Sequence, residues 1–223
     1  MNDQAANGFD FSIPSATTLA PSIDGLFYAL LALSLFATVA IVAAIVYFSV
    51  KYRAGSSADR SDAHGARLNI EDIWIAVPLL LFLIVFVWSA VLYARIFTPP
   101  PNTTDIFIVG KQWMWKVQHG SGRQEINEVH VPLGVPVRLV MTSQDVIHAF
   151  FVPAFRLKQD VLPGRYTALW FQATKAGVYP LECSEYCGTD HARMGGSVVV
   201  LSQEDYERWA AQTLPQSGEK THS

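Results

Sequence analysis

Four side chains that bind soft metal ions stand within twelve residues near the end of the chain. Cys183, Cys187, His191 and Met194 lie in the stretch CSEYCGTDHARM, and the two cysteines are the only ones in the sequence. Thiolate, imidazole and thioether together suit copper, whereas zinc sites are built from cysteine, histidine and carboxylate. A disulfide is the alternative, but so small a loop gains little entropy and leaves His191 and Met194 without a role.

The two cysteines leave the number of bound metal ions open. A mononuclear blue-copper site uses one cysteine, two histidines and a weak methionine, so one thiol would be left over. Two thiolates can instead bridge two metal ions, with one histidine on each. The second histidine is then His148 in SQDVIHAFFVP, where a polar run turns into an apolar strand.

The other four histidines are predicted to take no part in this site. His64 lies between the two apolar segments and His222 lies in the C-terminal tail. His119 is expected to be a solvated turn residue, and His130 an ordinary strand residue in the alternating run EVHVP.

Two long uncharged segments predict membrane-spanning helices. Residues 25–50 and 73–94 contain no Asp, Glu, Lys or Arg, and a bilayer core needs about 20 apolar residues. Residues 1–50 contain no Lys or Arg, and the first twenty residues lack the basic start and apolar centre of a signal peptide. The linker holds Lys51, Arg53, Arg60 and Arg67. The linker is therefore predicted to be cytoplasmic, with both termini outside.

The rest of the chain predicts an outer β-domain. Short runs rich in Val, Ile, Thr and aromatics are punctuated by Gly and Pro, as in a β-sandwich or barrel. SQEDYERWAAQ predicts a final helix with Ser202 as its cap. The predicted order is an outer segment (1–24), a transmembrane hairpin (25–97, helices about 25–50 and 72–97, linker 51–71), a proline-rich spacer (98–104), the copper domain (105–201), and a helix with a tail (202–223).

Composition limits the possible partners. The net charge of -3 and pI of about 6.0 argue against nucleic-acid binding. The mean hydropathy of +0.24 is high for a fully soluble protein. From residue 99 onward the chain holds 11 Lys and Arg against 12 Asp and Glu, so the outer domain is nearly neutral.

Three stretches resemble subunit II of haem–copper cytochrome c oxidases: SQDVIHAFFVP, LKQDVLPGRY and CSEYCGTDHARM. The resemblance extends from about residue 24 to 201. It implies a two-helix transmembrane hairpin followed by an all-β cupredoxin-like barrel or sandwich with a short C-terminal helix. It also implies the inner membrane of a bacterium, crossed by both helices, with the domain and both termini on the periplasmic side.

The resemblance further implies a binuclear copper A centre. Cys183 and Cys187 would bridge both coppers, and each histidine would bind one. The Glu185 side chain would share a magnesium ion with subunit I. The implied copper ligands are His148, Cys183, the backbone carbonyl of Glu185, Cys187, His191 and Met194.

Three more residues match family positions. Trp113 in GKQWMWK matches the point where electrons arrive, although Met114 replaces the usual tyrosine; the simpler alternative is that Trp113 or Trp115 packs the core. Glu71 matches a glutamate near a proton-uptake path, but first-turn acids are also favoured by the helix dipole. Asp145 matches an acid that docks the electron donor.

The implied function is that of a relay subunit in a proton-pumping oxidase. It would accept electrons from cytochrome c and pass them to haem in subunit I, where O2 is reduced to water; subunit III is a further implied partner. Neither predicted helix carries an internal histidine, and no Cys-x-x-Cys-His haem motif is present. A separate cytochrome is therefore expected, less basic or membrane-anchored because the domain is nearly neutral.

Three alternatives are weaker. A quinol oxidase subunit II lacks the copper ligands. A copper-delivery protein would show a thioredoxin-like alternation of strands and helices and a single anchor. A purely structural domain with a disulfide leaves His148, His191 and Met194 unexplained.

Overall fold

The structure is a computed structural model that describes residues 14–60 and 70–212. It divides into two compact units, one formed by residues 22–94 and the other by the residues on either side. His64 and His222 lie outside the described residues, as do Arg67 and the tail after Pro215.

Two long apolar helices form the first unit. Helix α1 spans Ala20–Lys51 and helix α2 spans Ile70–Phe97. Both are long and apolar enough to cross a membrane. Helix α1 begins about five residues before the uncharged run, because the Thr17 hydroxyl accepts a hydrogen bond from the Ala20 N–H at 3.2 Å. Pro21 in the first turn suits the fixed φ of proline.

Among the described residues, ten strands make up most of the second unit, and their sequences alternate between apolar and polar side chains. In β5 every second residue is buried. The strands are β1 (Thr104–Lys111), β2 (Met114–His119), β3 (Gln124–Ile126), β4 (Glu128–Pro132), β5 (Pro136–Ser143), β6 (His148–Val152), β7 (Leu157–Val161), β8 (Thr167–Gln172), β9 (Gly177–Cys183) and β10 (Gly195–Leu201).

The strands are arranged in two five-stranded sheets. One has the order β3-β2-β1-β5-β8 and the other β4-β10-β9-β6-β7. Neighbours are antiparallel except for the parallel pairs β1–β5 and β4–β10. Both sheets contribute to one core, in which Ile106, Leu139, Val129 and Val198 are fully buried. Burial of one such side chain contributes about 1.5–3 kcal/mol. The predicted cupredoxin-like fold is confirmed.

The segment before α1 joins the β-domain, which the sequence did not predict. Thr17 forms a bridge with Ala173, just after β8. The Ala16 N–H donates to the Ala154 carbonyl at 3.0 Å, and the Thr174 N–H donates to the Ala16 carbonyl at 2.8 Å. Residues 16–18 therefore belong to the same compact body as the strands.

The predicted C-terminal helix is present as α3 (Gln203–Ala211). The Ser202 hydroxyl accepts from the Asp205 N–H at 3.1 Å, which caps the helix. Trp209 packs on the two domain histidines, 4.9 Å from the His119 ring and stacked 4.5 Å from the His130 ring. The expectation of a solvated His119 is wrong: the residue is 3% exposed, because α3 covers this end of the domain.

Candidate metal centre

Two strand ends and one loop carry the predicted metal ligands. His148 is the first residue of β6 and Cys183 is the last residue of β9. These strands pair directly, with Phe150 opposite Cys183. The β9–β10 loop carries the remaining candidates, which include Cys187, His191 and Met194. The sheet thus brings together groups that lie 35 residues apart in sequence.

The ligand atoms converge on the pair of sulfurs. The Cys183 Sγ lies 3.8 Å from the Cys187 Sγ. The His148 Nδ1 lies 3.9 Å from the Cys183 Sγ, and the His191 Nδ1 lies 3.5 Å from the Cys187 Sγ. Each sulfur therefore has its own imidazole.

Two weaker donors complete the cluster, one beside each sulfur. The Met194 Sδ is 3.7 Å from the Cys187 Sγ. The Glu185 carbonyl oxygen is 3.3 Å from the Cys183 Sγ. The structure therefore brings all six predicted donor groups into one place.

Backbone hydrogen bonds fix the loop at both ends. The Cys183 N–H donates to the Met194 carbonyl, and the Ser184 N–H to the Ala149 carbonyl, each at 3.1 Å. At the loop centre Gly188 has a φ of +121°, which only glycine adopts readily. A Cβ at Gly188 would also lie 3.3 Å from the Trp113 ring. The sequence therefore folds here into a rigid turn that fixes the spacing of its ligands.

The site excludes water from its sulfurs. Cys183, Cys187 and Met194 are 8%, 3% and 2% exposed, and His148 is fully buried. The two thiols are not joined in a disulfide. Burial and the neighbouring Cys183 raise the pKa of Cys187 to about 12. Two thiolates in this pocket therefore need bound cations to hold their charge.

The comparisons with known proteins agree with this geometry. A family model described as "Cytochrome C oxidase subunit II, periplasmic domain" matches residues 123–202, which contain every predicted copper ligand. The β-domain belongs to this family. The chain is 28% identical over 252 residues to cytochrome c oxidase subunit 2 of Thermostichus vulcanus, covering 88% of this chain and 76% of the relative.

Other members of the subunit II family match shorter parts of the chain. A probable cytochrome c oxidase subunit 2 of Rickettsia prowazekii is 33% identical over 166 residues, covering 65% of this chain and 53% of the relative. The crystal structure of the periplasmic domain of subunit II of cytochrome oxidase of Bradyrhizobium japonicum is 33% identical, with a TM-score of 0.49. It covers 51% of this chain and 94% of that one. The chain thus spans about half the length of several curated relatives that it matches.

The residues present fit the copper that the subunit II family implies. The donor set combines two thiols, two imidazoles and a thioether, all soft or borderline ligands. The paired sulfurs lie between the two imidazoles, so each imidazole can serve one metal ion while both sulfurs serve two. His148, Cys183 and Cys187 also have donor atoms within 4.8 Å of one another.

Asp145 orients the imidazole of His148, one of the predicted copper ligands. Its Oδ1 accepts from the His148 Nε2 at 2.8 Å, which leaves the His148 Nδ1 facing the sulfurs. Its Oδ2 accepts from the Gln112 N–H at 2.8 Å. Burial alone would raise the pKa of Asp145, but the Gln112 N–H and the His148 imidazole lower it on balance. The family resemblance predicted donor docking for Asp145, and its contact with His148 was not predicted from the sequence.

We expect Asp145→Asn to weaken the site without unfolding the domain. An amide at this position can turn its N–H2 group toward the His148 Nε2 and disturb the ring orientation. Loss of such a supporting contact lowers metal affinity by about 10–100-fold. Competition with a copper chelator measures the affinity. Asp160→Asn, an exposed acid in β7, is the control, and equal affinities in the two variants would contradict the positioning role.

The two tryptophans of GKQWMWK occupy different environments. Trp115 is fully buried, and its ring lies edge-on to His148 with centroids 5.9 Å apart. Trp113 is only partly buried and packs beside Gly188 in the β9–β10 loop (the ligand loop). The Gln112 Nε2 donates to the Cys187 carbonyl at 2.8 Å, which ties the start of this turn to the same loop. Trp113 therefore packs against the β9–β10 loop, which carries Cys187.

The two predicted glutamates both have exposed side chains. The Glu185 side chain is exposed, while its carbonyl faces Cys183. Glu71 is an exposed residue in the first turn of α2, in the helical unit.

Gly110 is a site residue that sequence reasoning missed. It lies in β1, where a Cβ would come 2.8 Å from the His148 Cδ2 and 3.4 Å from the Trp115 ring. The imidazole occupies the space that a side chain would need. Its position in the family stretch GKQWMWK was the one available signal.

Proposed function

We propose that this chain is the electron-accepting subunit of a proton-pumping haem–copper oxidase. The observation that carries the proposal is the pair of thiols 3.8 Å apart with one imidazole beside each sulfur. Cys183 and Cys187 would hold two copper ions, with His148 and His191 as terminal ligands. Met194 and the Glu185 carbonyl would be the weak ligands.

The chain's own residues would keep this site rigid and dry. When bound, the copper pair would take up one electron and share it between two metals. The strands fix Cys183 and His148, Asp145 holds the imidazole, and the buried sulfurs exclude water. A site that keeps its geometry on reduction needs little reorganisation, which favours fast electron transfer. Trp113, packed on the ligand loop, would receive the electron from the donor.

The remaining roles rest on the resemblance. Subunit I would receive the electron at haem and reduce O2 to water, with subunit III beside it. The exposed Glu185 side chain would share a magnesium ion with subunit I, and Glu71 would lie near the start of a proton-uptake path. Asp145, whose side chain is 24% exposed, would contribute to donor docking.

The proposed topology places the β-domain and both termini on the periplasmic side of a bacterial inner membrane. The basic linker favours the cytoplasm, and α1 and α2 would cross the bilayer. Pairing of residues 16–18 with the β-domain supports this arrangement, because it keeps the segment before α1 with the outer domain.

Copper stoichiometry and electron paramagnetic resonance test the proposal. The full chain in detergent is reduced and loaded with copper; the full chain is used because residues 16–18 pair with the domain. We expect two coppers per chain and hyperfine splitting from two equivalent nuclei. One copper with a single-nucleus pattern would indicate a blue-copper or delivery protein, and no binding after reduction would leave only the structural role.

Salt dependence tests the proposed donor. The nearly neutral outer domain gives weak electrostatic steering, so a less basic or membrane-anchored cytochrome c is expected. Electron transfer from such a cytochrome to the copper-loaded chain should change little between low and physiological ionic strength. A steep fall in rate would instead indicate a strongly basic donor.

A further inference from the structure

We propose that the β-domain binds a second metal, a divalent cation of the zinc class, at Glu125, Glu128 and His130. These residues flank the corner where β3 passes into β4. Each offers one donor atom, and the three atoms lie within 4.8 Å of one another. None of the three belongs to the predicted copper site around Cys183 and Cys187 (the thiol centre).

The chemistry of the donors defines the class of cation. Two carboxylates and one imidazole suit zinc, which binds nitrogen and oxygen donors in sets of three or four. Without a thiolate or thioether the group is less suited to Cu(I). His119 holds the Glu125 carboxylate in place, since its Nε2 lies 2.8 Å from the Glu125 Oε2.

A buried imidazole and a carboxylate face each other at the corner. The His130 Nδ1 is shielded from solvent and forms an ion pair with the Glu125 Oε1 at 2.7 Å. A metal ion would take the place of the proton held between these two atoms, because metal binding to such ligands releases protons. Exposed Glu128 would supply the third donor atom.

The corner is held in shape before any ion binds. Asn127 adopts a φ of +61°, and its Oδ1 accepts from the Trp115 N–H at 2.8 Å. The Asn127 carbonyl accepts from the Ser197 N–H at 2.8 Å. A Cβ on Gly196 would lie only 2.1 Å from that carbonyl, so glycine is required there. These contacts fix the spacing between Glu125 and Glu128.

The imidazole ring is also fixed in orientation. Trp209 of α3 stacks on His130 with an angle of 16° between the rings. The Arg123 guanidinium also lies over the Trp209 ring, 4.2 Å from its centroid, and donates to the Trp209 carbonyl at 2.6 Å. Supporting contacts of this kind hold metal ligands in orientation.

Charge and access are suited to an incoming cation. Burial alone would raise the pKa of Glu125, but its contacts with His119 and His130 hold it at about 2. The carboxylate is therefore ionised at neutral pH. Glu128 is exposed, which leaves the corner open to solvent on one side. An ion bound here would join β3, β4 and, through His130 and Trp209, α3.

Zinc titration tests this site. The full chain is first loaded with copper, so that its thiols are occupied, and Zn²⁺ is titrated in competition with a chromophoric chelator. We expect one zinc per chain. Glu128→Gln, at an exposed position that should not disturb folding, should weaken binding at least about 10-fold, and His130→Gln should do the same. Glu204→Gln, an exposed acid in α3, is the matched control.

The same titration on the Cys183→Ser, Cys187→Ser variant separates this site from the thiol centre. One zinc per chain should still bind, because no donor of the corner lies in the ligand loop. Circular dichroism checks that each variant is folded. Absence of zinc binding in both backgrounds would overturn the proposal, and so would binding that Glu128→Gln and His130→Gln leave unchanged. The cluster would then have only the structural role of packing against α3.

Discussion

Substitution of either Cys183 or Cys187 by serine is expected to abolish the shared-electron copper signal. Each sulfur lies close to its own imidazole and 3.8 Å from the other sulfur, so neither can be spared if two ions are to be bridged. A serine hydroxyl is a hard donor and stays protonated at neutral pH. We therefore expect at most one copper per chain in each variant, and electron uptake from a reduced cytochrome should fall to background.

Ser184→Ala is the matched control for these variants. Ser184 stands in the same loop, and its backbone N–H, which makes the bond to Ala149, is unchanged by the substitution. This variant should keep two coppers and the two-nucleus spectrum. Retention of that spectrum by either cysteine variant would contradict the bridging assignment, and a loss in Ser184→Ala would mean that the loop fold, rather than the thiols, was being measured.

Gly110→Ala is expected to damage the copper site from the opposite side. The new Cβ would lie 2.8 Å from the His148 Cδ2, closer than real Cβ contacts come. The same Cβ would also lie 3.4 Å from the Trp115 ring, so it cannot move toward that ring to relieve the clash. Packed interiors resist such insertions, at a typical cost of about 1–3 kcal/mol. The imidazole must then shift from Cys183, so we expect weaker copper binding and an altered spectrum.

Gly120→Ala separates this local effect from a general effect of losing a glycine. A Cβ at Gly120 would meet only the Asp105 carbonyl, at an ordinary 3.8 Å. Copper affinity by chelator competition and the free energy of unfolding are measured for both variants. An unchanged copper spectrum in Gly110→Ala would show that the His148 ring has more room than the structure gives it.

The zinc-class site and the thiol centre use different parts of the same domain. The thiol centre depends on β6, β9 and the β9–β10 loop, whereas the corner depends on β3 and β4. Variants at one should therefore leave metal binding at the other intact.

Local sequence by itself determined the strongest features of this protein. The uncharged runs predicted α1 and α2, because a long apolar segment without charges suits a bilayer core. Alternation of apolar and polar residues predicted strands, since successive side chains point to opposite faces. Four of the five predicted side-chain ligands lie within one twelve-residue stretch, so their spacing could be read directly from CSEYCGTDHARM.

Only the tertiary structure decided which distant residues support that loop. Gly110, Gln112 and Asp145 reach the thiol centre from other turns and strands, because pairing of strands far apart in sequence brings them to one end of the domain. Burial of His119 beneath Trp209 likewise depends on where α3 packs. Such contacts join residues with no local pattern in common, so hydrophobic periodicity and motif spacing cannot predict them.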